Sequence, residues 1–182
     1  MATRTDLCFR VGNTVIKTQD LSVSYAARLA LSHITLDIAQ GEFVLITGPS
    51  GCGKSTLAYA LSGLIPNSIS ARMKGKVEIG GLDTQVNCLS EIVQQVGIVL
   101  QNPSSQLFHL CVEDEIAFGP RNLGLDENEV SRRIDWALKA TGIEELRKRK
   151  PAELSGGQKQ CVAIASVIAM RPKILILDEP TA

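Results

Sequence analysis

Aromatic residues are scarce: four Phe, two Tyr and one Trp, 4% of 182 residues. A core must therefore be built from Ile, Leu, Val and Ala. The hydrophobic fraction of 45% supplies enough of them to exclude global disorder. Net charge is lacking too, with 19 basic residues against 19 acidic ones. No electrostatic excess draws the chain to nucleic acid, whose phosphates reward a clustered basic surface, so no nucleic-acid partner is expected. Long apolar runs are missing as well. The most lipid-like stretch, Cys161 to Met170, is interrupted by Ser166 and falls short of the roughly 20 residues a spanning helix needs, so no transmembrane segment of its own is expected. The start, Met1 to Asp6, has no apolar core of the kind a secretory signal carries. The five cysteines, Cys8, Cys52, Cys88, Cys111 and Cys161, are odd in number, widely spaced and form no CxxC pair. That pattern argues against a disulfide framework and a zinc site, and for reduced thiols in a cytosolic protein. The length suits one ordinary domain.

Residues 1–13 read as irregular. Short strands are expected at Val15 to Lys17, Leu21 to Tyr25 and Ile34 to Ile38, where Ile34, Leu36 and Ile38 alternate with polar residues. Gln40-Gly41 turns the chain into Phe43 to Thr47, an apolar run expected to be a strand buried on both faces. A glycine-rich loop follows, then a helix from Lys54 to Ser62, stopped by Gly63, with Pro66 barring its resumption. Lys76 to Ile79 and Val96 to Leu100 read as further strands. Beyond Gln101 the texture is helical: a short segment Val112 to Phe118 closed by Gly119-Pro120, then a helix to Thr141 opened by a capping box of Asp126 and Glu129. Val130, Ile134, Ala137 and Leu138 give that helix one apolar face, and Gly142 ends it. The basic run Arg147 to Lys150 reads as a solvated helix end. Lys159 to Met170 reads as a second, more buried helix, and Ile174 to Leu177 as a last strand ending on Asp178-Glu179. The order indicates an α/β fold with a helical subdomain at about residues 102–160.

Three groups of residues carry chemistry. Gly48-Pro49-Ser50-Gly51-Cys52-Gly53-Lys54-Ser55-Thr56 matches G-x-x-x-x-G-K-[ST]. Glycines let successive N–H groups turn inward around an anion, and the following helix starts where phosphates would sit. Lys54 would neutralise β- and γ-phosphates, and Ser55 would offer its hydroxyl to Mg²⁺. Asp178, at the end of an apolar strand, is the carboxylate such a loop needs for the Mg²⁺ shell, and Glu179 is a candidate general base for an attacking water. Leu154-Ser155-Gly156-Gly157-Gln158 before a helix is a second anion-binding device.

With these residues the sequence resembles the ATP-binding subunits of ABC transporters, whose signature loop is LSGGQ. The resemblance covers residues 15–182. It implies a P-loop NTPase core with an N-terminal antiparallel β subdomain and an inserted helical subdomain. The divisions would be 1–101 for the core with the glycine loop, 102–160 for the helical part with the signature, and 161–182 for the return to the core. In that family two subunits, or two fused halves, stack head to tail, so ATP with Mg²⁺ would lie between one glycine loop and the other subunit's Ser155, Gly156, Gly157 and Gln158. By the same resemblance Tyr25 would stack on adenine. Gln101 would sense Mg²⁺ and water and link the site to a transmembrane coupling subunit, while Asp178 and Glu179 would be the magnesium carboxylate and the catalytic glutamate. The chain would sit peripherally on the cytoplasmic face of the cell membrane. The stretches Gln101 to Phe108 and Val112 to Asn122 look like the energy-coupling-factor branch, which imports metal ions or vitamins. There the region after Gln101 meets coupling helices of the membrane subunit, which would account for Leu107 and Phe108.

The family continues beyond Pro180-Thr181-Ala182 with a D-loop, a further strand between those bearing the glycine loop and Asp178, and a switch histidine. Neither His33 nor His109 can replace that histidine. The expectation is a fold incomplete at the C-terminus and an N-terminal fragment of a longer product. The leading reading is an ATP-hydrolysing subunit that energises import, and the alternative a non-catalytic nucleotide-binding fragment. Cys161 stands where the family has arginine, which removes a fixed charge and its donors from the signature helix. Cys52 lies inside the glycine loop, where the backbone does the binding. Quantitative alkylation of Cys52 is expected to block nucleotide binding, and unchanged ATP affinity in the modified protein would refute this.

Overall fold

The computed structural model describes residues 13–26 and 28–180. Of the irregular start expected over residues 1–13, residues 1–12, Cys8 among them, lie outside the described residues. A four-stranded antiparallel sheet in the order β2-β1-β3-β4 is built from β1 (Thr14–Tyr25), β2 (Arg28–Ala39), β3 (Arg72–Ile79) and the two-residue β4 (Leu82–Asp83). The two short strands expected at Val15 to Lys17 and Leu21 to Tyr25 are one continuous β1. Its buried residues Ile16, Leu21 and Val23 share a face with Val77 and Ile79 of β3. The buried Thr18 hydroxyl donates to the Ile34 carbonyl at 3.0 Å and accepts the Leu36 N–H at 2.9 Å, so its polar atom is satisfied in the strand pair.

That inner face packs on α1 (Lys54–Leu61) through Leu57, Ala60 and Leu61, with Ile92 of the short helix α3 (Leu89–Ile92). Between them the chain makes another short turn of helix, α2 (Leu64–Asn67), despite Pro66. The Ile65-Pro66 peptide is cis and Ile65 has non-helical angles, so the proline sits in a kinked turn rather than barring one. A second, parallel sheet pairs β5 (Val96–Val99) with β6 (Ile174–Leu177), Val96 opposite Ile174 and Val99 opposite Leu177.

The helical part comprises α4 (Val112–Asn122), α5 (Glu127–Thr141) and α6 (Gly156–Ala169), packed around Val112, Ile116, Val130, Ile134, Leu138 and Val162. The buried residues of α5 are the four named by its periodicity: Val130, Ile134, Ala137 and Leu138. Three local expectations are corrected here. Gly119-Pro120 does not close α4, which runs on to Asn122. Pro120 costs the helix one N–H bond, and Gly119 lets α6 approach so closely that a Cβ there would lie 2.6 Å from Met170 Cγ. The capping box at α5 is half made: Asp126 accepts the N–H groups of Asn128 and Glu129, while the Glu129 carboxylate is drawn to Arg133 at 2.8 Å and Arg132 at 2.9 Å. Arg147 to Lys150 is no helix end. It links two short 3-10 turns, Glu144–Leu146 and Pro151–Glu153, and Arg147 reaches Glu113 at 2.6 Å and Asp135 at 2.5 Å.

The largest departure is Phe43 to Thr47, which forms no strand. Phe43 is 94% exposed and Leu45 76%, where burial on both faces was expected. Among the described residues no strand lies beside it to complete a ladder. A cleft of about 540 Å³ separates it from the outer edge of β6, walled by Val44, Ile46, Leu175 and Leu177. An apolar run without a pairing partner cannot satisfy its N–H and C=O groups as a strand, so it stays irregular.

Glu113 also ties α4 to the segment after α5. Hydrogen bonds from Arg147 and then Lys148 hold its carboxyl below the ordinary carboxylate value of 4.5. A carboxylate lowered in the folded state contributes stability that is present above that value and lost as the pH falls through the folded one. Glu113→Gln is therefore expected to cost about 1 kcal/mol at neutral pH and to flatten the acid limb of a urea-unfolding series below pH 4.5.

Candidate functional site

The loop from Gly48 to Gly53 leads directly into α1, so the N–H groups of the first helical turn face the loop's concavity. Gly53 is left-handed at φ 103°, and a Cβ on it would lie 2.7 Å from the Ala30 carbonyl oxygen of β2. Lys54 folds back over the loop: its Nζ donates to the Gly48 carbonyl at 3.1 Å and the Pro49 carbonyl at 3.3 Å. The ammonium thus stands over the loop, where an incoming phosphate would meet it.

The parallel pair brings the acidic end of β6 to the same place. Lys54 Nζ is 3.3 Å from Glu179, and the Gln101 side-chain amide donates to the other Glu179 oxygen at 2.7 Å. Glu179 takes a left-handed φ of 49°, which turns its side chain out of strand direction. Asp178 stays inside at 5% exposure, and its Oδ2 is buried without a hydrogen-bond partner. A buried carboxylate oxygen left unpaired is costly, and a bound cation would satisfy it. Among the described residues no cluster of three or more His, Cys, Asp or Glu is placed to hold a metal by itself. One carboxylate with the Ser55 hydroxyl instead suits Mg²⁺, which keeps most of its shell as water and substrate phosphate oxygens.

Over the loop lies a cleft of about 350 Å³, lined by Tyr25, Ser50, Gly51, Lys54, Gln101 and Glu179, with Gly53, Ser55 and Thr56 also on its wall. Nine residues singled out in the sequence thus share one cavity. Cys52 is exposed on the loop. Arg28 and Leu29, for which no motif signals a role, line the same cleft from β2. Tyr59 was also missed. Its phenol is pushed up by burial and then by the negative charge of Asp178.

Ser155 to Gln158 does not line this cleft. Ser155 caps α6 reciprocally: its hydroxyl accepts the Gln158 N–H at 3.3 Å, and the Gln158 side chain accepts the Ser155 N–H at 3.0 Å. Gly156 and Gly157 have open space where a Cβ would be, so the start of α6 is a bare, donor-rich surface. Cys161 packs against the helical cluster as a small apolar side chain. The far end of α6 is held by Arg133, which donates to the carbonyls of Ala169 and Met170 at 3.2 and 3.1 Å. His33 pairs with Asp20, and His109 lies in the loop before α4; neither lines the cleft.

A glycine loop opening a helix, a cleft over that loop and a buried carboxylate at the end of a parallel strand define a P-loop nucleotide-binding protein. The ABC transporter family model matches residues 31–182, and the chain belongs to that family. It is 49% identical over 170 residues to a putative ABC transporter ATP-binding protein of Pyrococcus horikoshii, covering 92% of this chain and 60% of that one. It is 44% identical over 179 residues to the energy-coupling factor transporter ATP-binding protein EcfA1 of Clostridium perfringens, covering 94% and 62%. Among solved structures, cbiO1 of Clostridium perfringens, part of the ABC transporter complex cbiONQ, aligns with a TM-score of 0.79 at 38% identity, over 93% of this chain and 66% of that one. A dimeric ATP-binding cassette bound to ADP and Pi in a post-hydrolysis state aligns with a TM-score of 0.78 at 30% identity, over 91% and 74%. The chain spans about three fifths of the length of these curated relatives. The fold is that of the ABC ATPases, which bind ATP, and among the described residues no helix is long and apolar enough to cross a membrane.

The Gly53 contact gives a direct check. Gly53→Ala meets both the left-handed φ and the Ala30 carbonyl, so it is expected to destabilise the protein by about 2 kcal/mol or more in urea unfolding.

Proposed function

We propose that this chain is the ATP-binding and ATP-hydrolysing part of a subunit that energises solute import, of a metal ion or a vitamin, through a membrane partner. The observation that carries the reading is the convergence of Lys54, Gln101 and Glu179 in one cleft, with the buried Asp178 next to Glu179 in the chain but facing the neighbouring cleft beside Phe43 to Ile46. Lys54 would release the Gly48 and Pro49 carbonyls and take the β- and γ-phosphates. Tyr25 would stack on adenine. Ser55 and Asp178 would hold Mg²⁺, which supplies charge neutralisation of the phosphates when bound. Glu179, freed from Lys54 once phosphate takes its place, would accept a proton from the attacking water, and Gln101 would report that change along the loop towards α4.

The signature residues Ser155, Gly156, Gly157 and Gln158 would close over the nucleotide of a second subunit, or of a fused half, stacked head to tail. Their separation from the cleft and the bare start of α6 support that arrangement. The region after Gln101 would meet a coupling helix of the membrane subunit through Phe108 and the exposed Leu110, whereas Leu107, expected to share that role, packs against the helical cluster. The relatives' names and the cbiONQ neighbour support the energy-coupling-factor branch and a peripheral place on the cytoplasmic face. A second reading, a nucleotide-binding module without turnover, is favoured by one observation: the unpaired segment Phe43 to Thr47 leading into the loop.

Glu179→Gln in the full-length protein separates them. Turnover is expected to fall by about 100-fold or more, with ATP still bound and a closed dimer accumulating in size-exclusion chromatography. A variant that hydrolyses at the parental rate removes Glu179 as the base. A parental protein that binds ATP without turnover leaves the second reading.

A further inference from the structure

The loop between Gln101 and α4 presents large apolar side chains to water: Phe108 is 64% exposed and Leu110 83%. A short connecting loop with such residues is ordinarily mobile. Here a buried charge holds it. Glu115, in the first turn of α4, is 3% exposed, and one carboxylate oxygen accepts the N–H groups of Phe108 at 2.9 Å and His109 at 2.8 Å. The same oxygen lies 3.5 Å from His109 Nδ1, an atom buried without a hydrogen-bond partner. Above it the rings interlock: Phe108 meets Phe118 edge-on at 5.0 Å, and the His109 ring lies 4.3 Å from Phe108 and 5.1 Å from Phe118. Among the described residues no lysine or arginine forms an ion pair with Glu115. Packing alone would be served by an apolar side chain at lower desolvation cost. What the carboxylate adds is direction, since two backbone donors of one loop converge on it near the positive end of a helix.

We infer that Glu115 is a positioning residue of the docking surface: it fixes the backbone at Phe108 and His109 so that Phe108 and Leu110 stand as a preformed apolar contact for a helix of the membrane subunit. The inference rests on the reading above that this region meets that subunit. A preformed contact avoids the ordering cost that a loose loop would meet on binding. The exposed pair and the buried carboxylate are then one device, in which the charge never touches the partner.

The test uses the full-length protein, tagged and purified together with its membrane subunits, and compares Glu115→Ala, Glu115→Gln and Phe108→Asp. Three quantities are read: amide exchange of Phe108 and His109, ATP affinity, and the amount of membrane subunit retained per tagged chain. Glu115→Ala is expected to speed exchange at the two amides by about tenfold or more, to leave ATP affinity within about twofold, and to lower retention by about tenfold. Glu115→Gln keeps an oxygen that can accept both N–H groups and is expected to restore most of the retention. Amide exchange across α5 and α6, read in the same experiment, checks that the helical part is folded in each variant. Unchanged exchange in Glu115→Ala overturns the inference, as does fast exchange with undiminished retention. If Glu115→Gln loses retention as fully as Glu115→Ala and both lose amide protection across α5 and α6, the residue is a packing element and the inference fails. If Phe108→Asp retains the membrane subunit while Glu115→Ala loosens the loop, the docking reading is what fails.

Discussion

Because β5 and β6 run parallel with Val99 opposite Leu177, whatever follows each strand leaves the sheet at the same level and on the same side. Asp178 N–H extends the ladder one step, donating to the Val99 carbonyl at 2.9 Å, and this keeps Asp178 buried. Glu179 is the first residue free to turn, and it does so with a left-handed φ. Gln101 stands two residues past Val99 and Glu179 two past Leu177, so their hydrogen bond at 2.7 Å follows from the register. A slip of one residue would exchange the faces of the strand and carry both side chains away from Lys54. The site is thus set by backbone pairing before any side chain chooses a rotamer.

One helix connects that pairing to the rest. Ala163 and Val167 of α6 lie against Val99, while Val162, Ala165 and Ala169 lie in the core of the helical part. Any rotation of the helical part therefore acts on β5 through α6, and on Gln101 through the chain that leaves β5. The small side chains on α6 and the close approach of Val167 to Gly97 of β5 make this a tight contact, of the kind that shifts as a unit. Glu129, drawn away from the cap of α5, pairs with Arg133, whose guanidinium in turn closes the end of α6. The incomplete capping box and the tied helix end are the same interaction seen from two sides.

Much of this was legible because it is local. The glycine loop and its helix follow from spacing, the buried face of α5 from a 3.6-residue period, and β6 from a short apolar run ending in acid. The ABC family itself was readable from the loop, the signature and the acidic pair together. What was missed depends on approach in space. α4 runs on through Pro120, and Gly119 beside it is closely approached by Met170, a contact that no window of sequence contains. Arg28, Tyr59 and the buried Glu115 take their places from elements that meet only after folding. Arg147 looked like surface charge because Glu113 and Asp135, its partners, lie on two other helices.

Phe43 to Thr47 shows the limit of pattern most clearly. Its composition reports the environment its side chains favour, and strand formation needs in addition a neighbour to complete the ladder. Burying a residue such as Phe43 or Leu45 is worth about 1.5–3 kcal/mol each, and the exposed faces of Leu175 and Leu177 across the cleft forgo a similar gain. The segment runs straight into Gly48. The loop is therefore held from its C-terminal side, by α1, by Gly53 under the Ala30 carbonyl and by the Lys54 bonds to Gly48 and Pro49. Anything that pairs Phe43 to Thr47 would hold the loop from the other side as well, and would stop Gly48 moving when phosphate displaces Lys54. Nucleotide affinity and the order of this segment are then linked reciprocally, each raising the other by the same free energy.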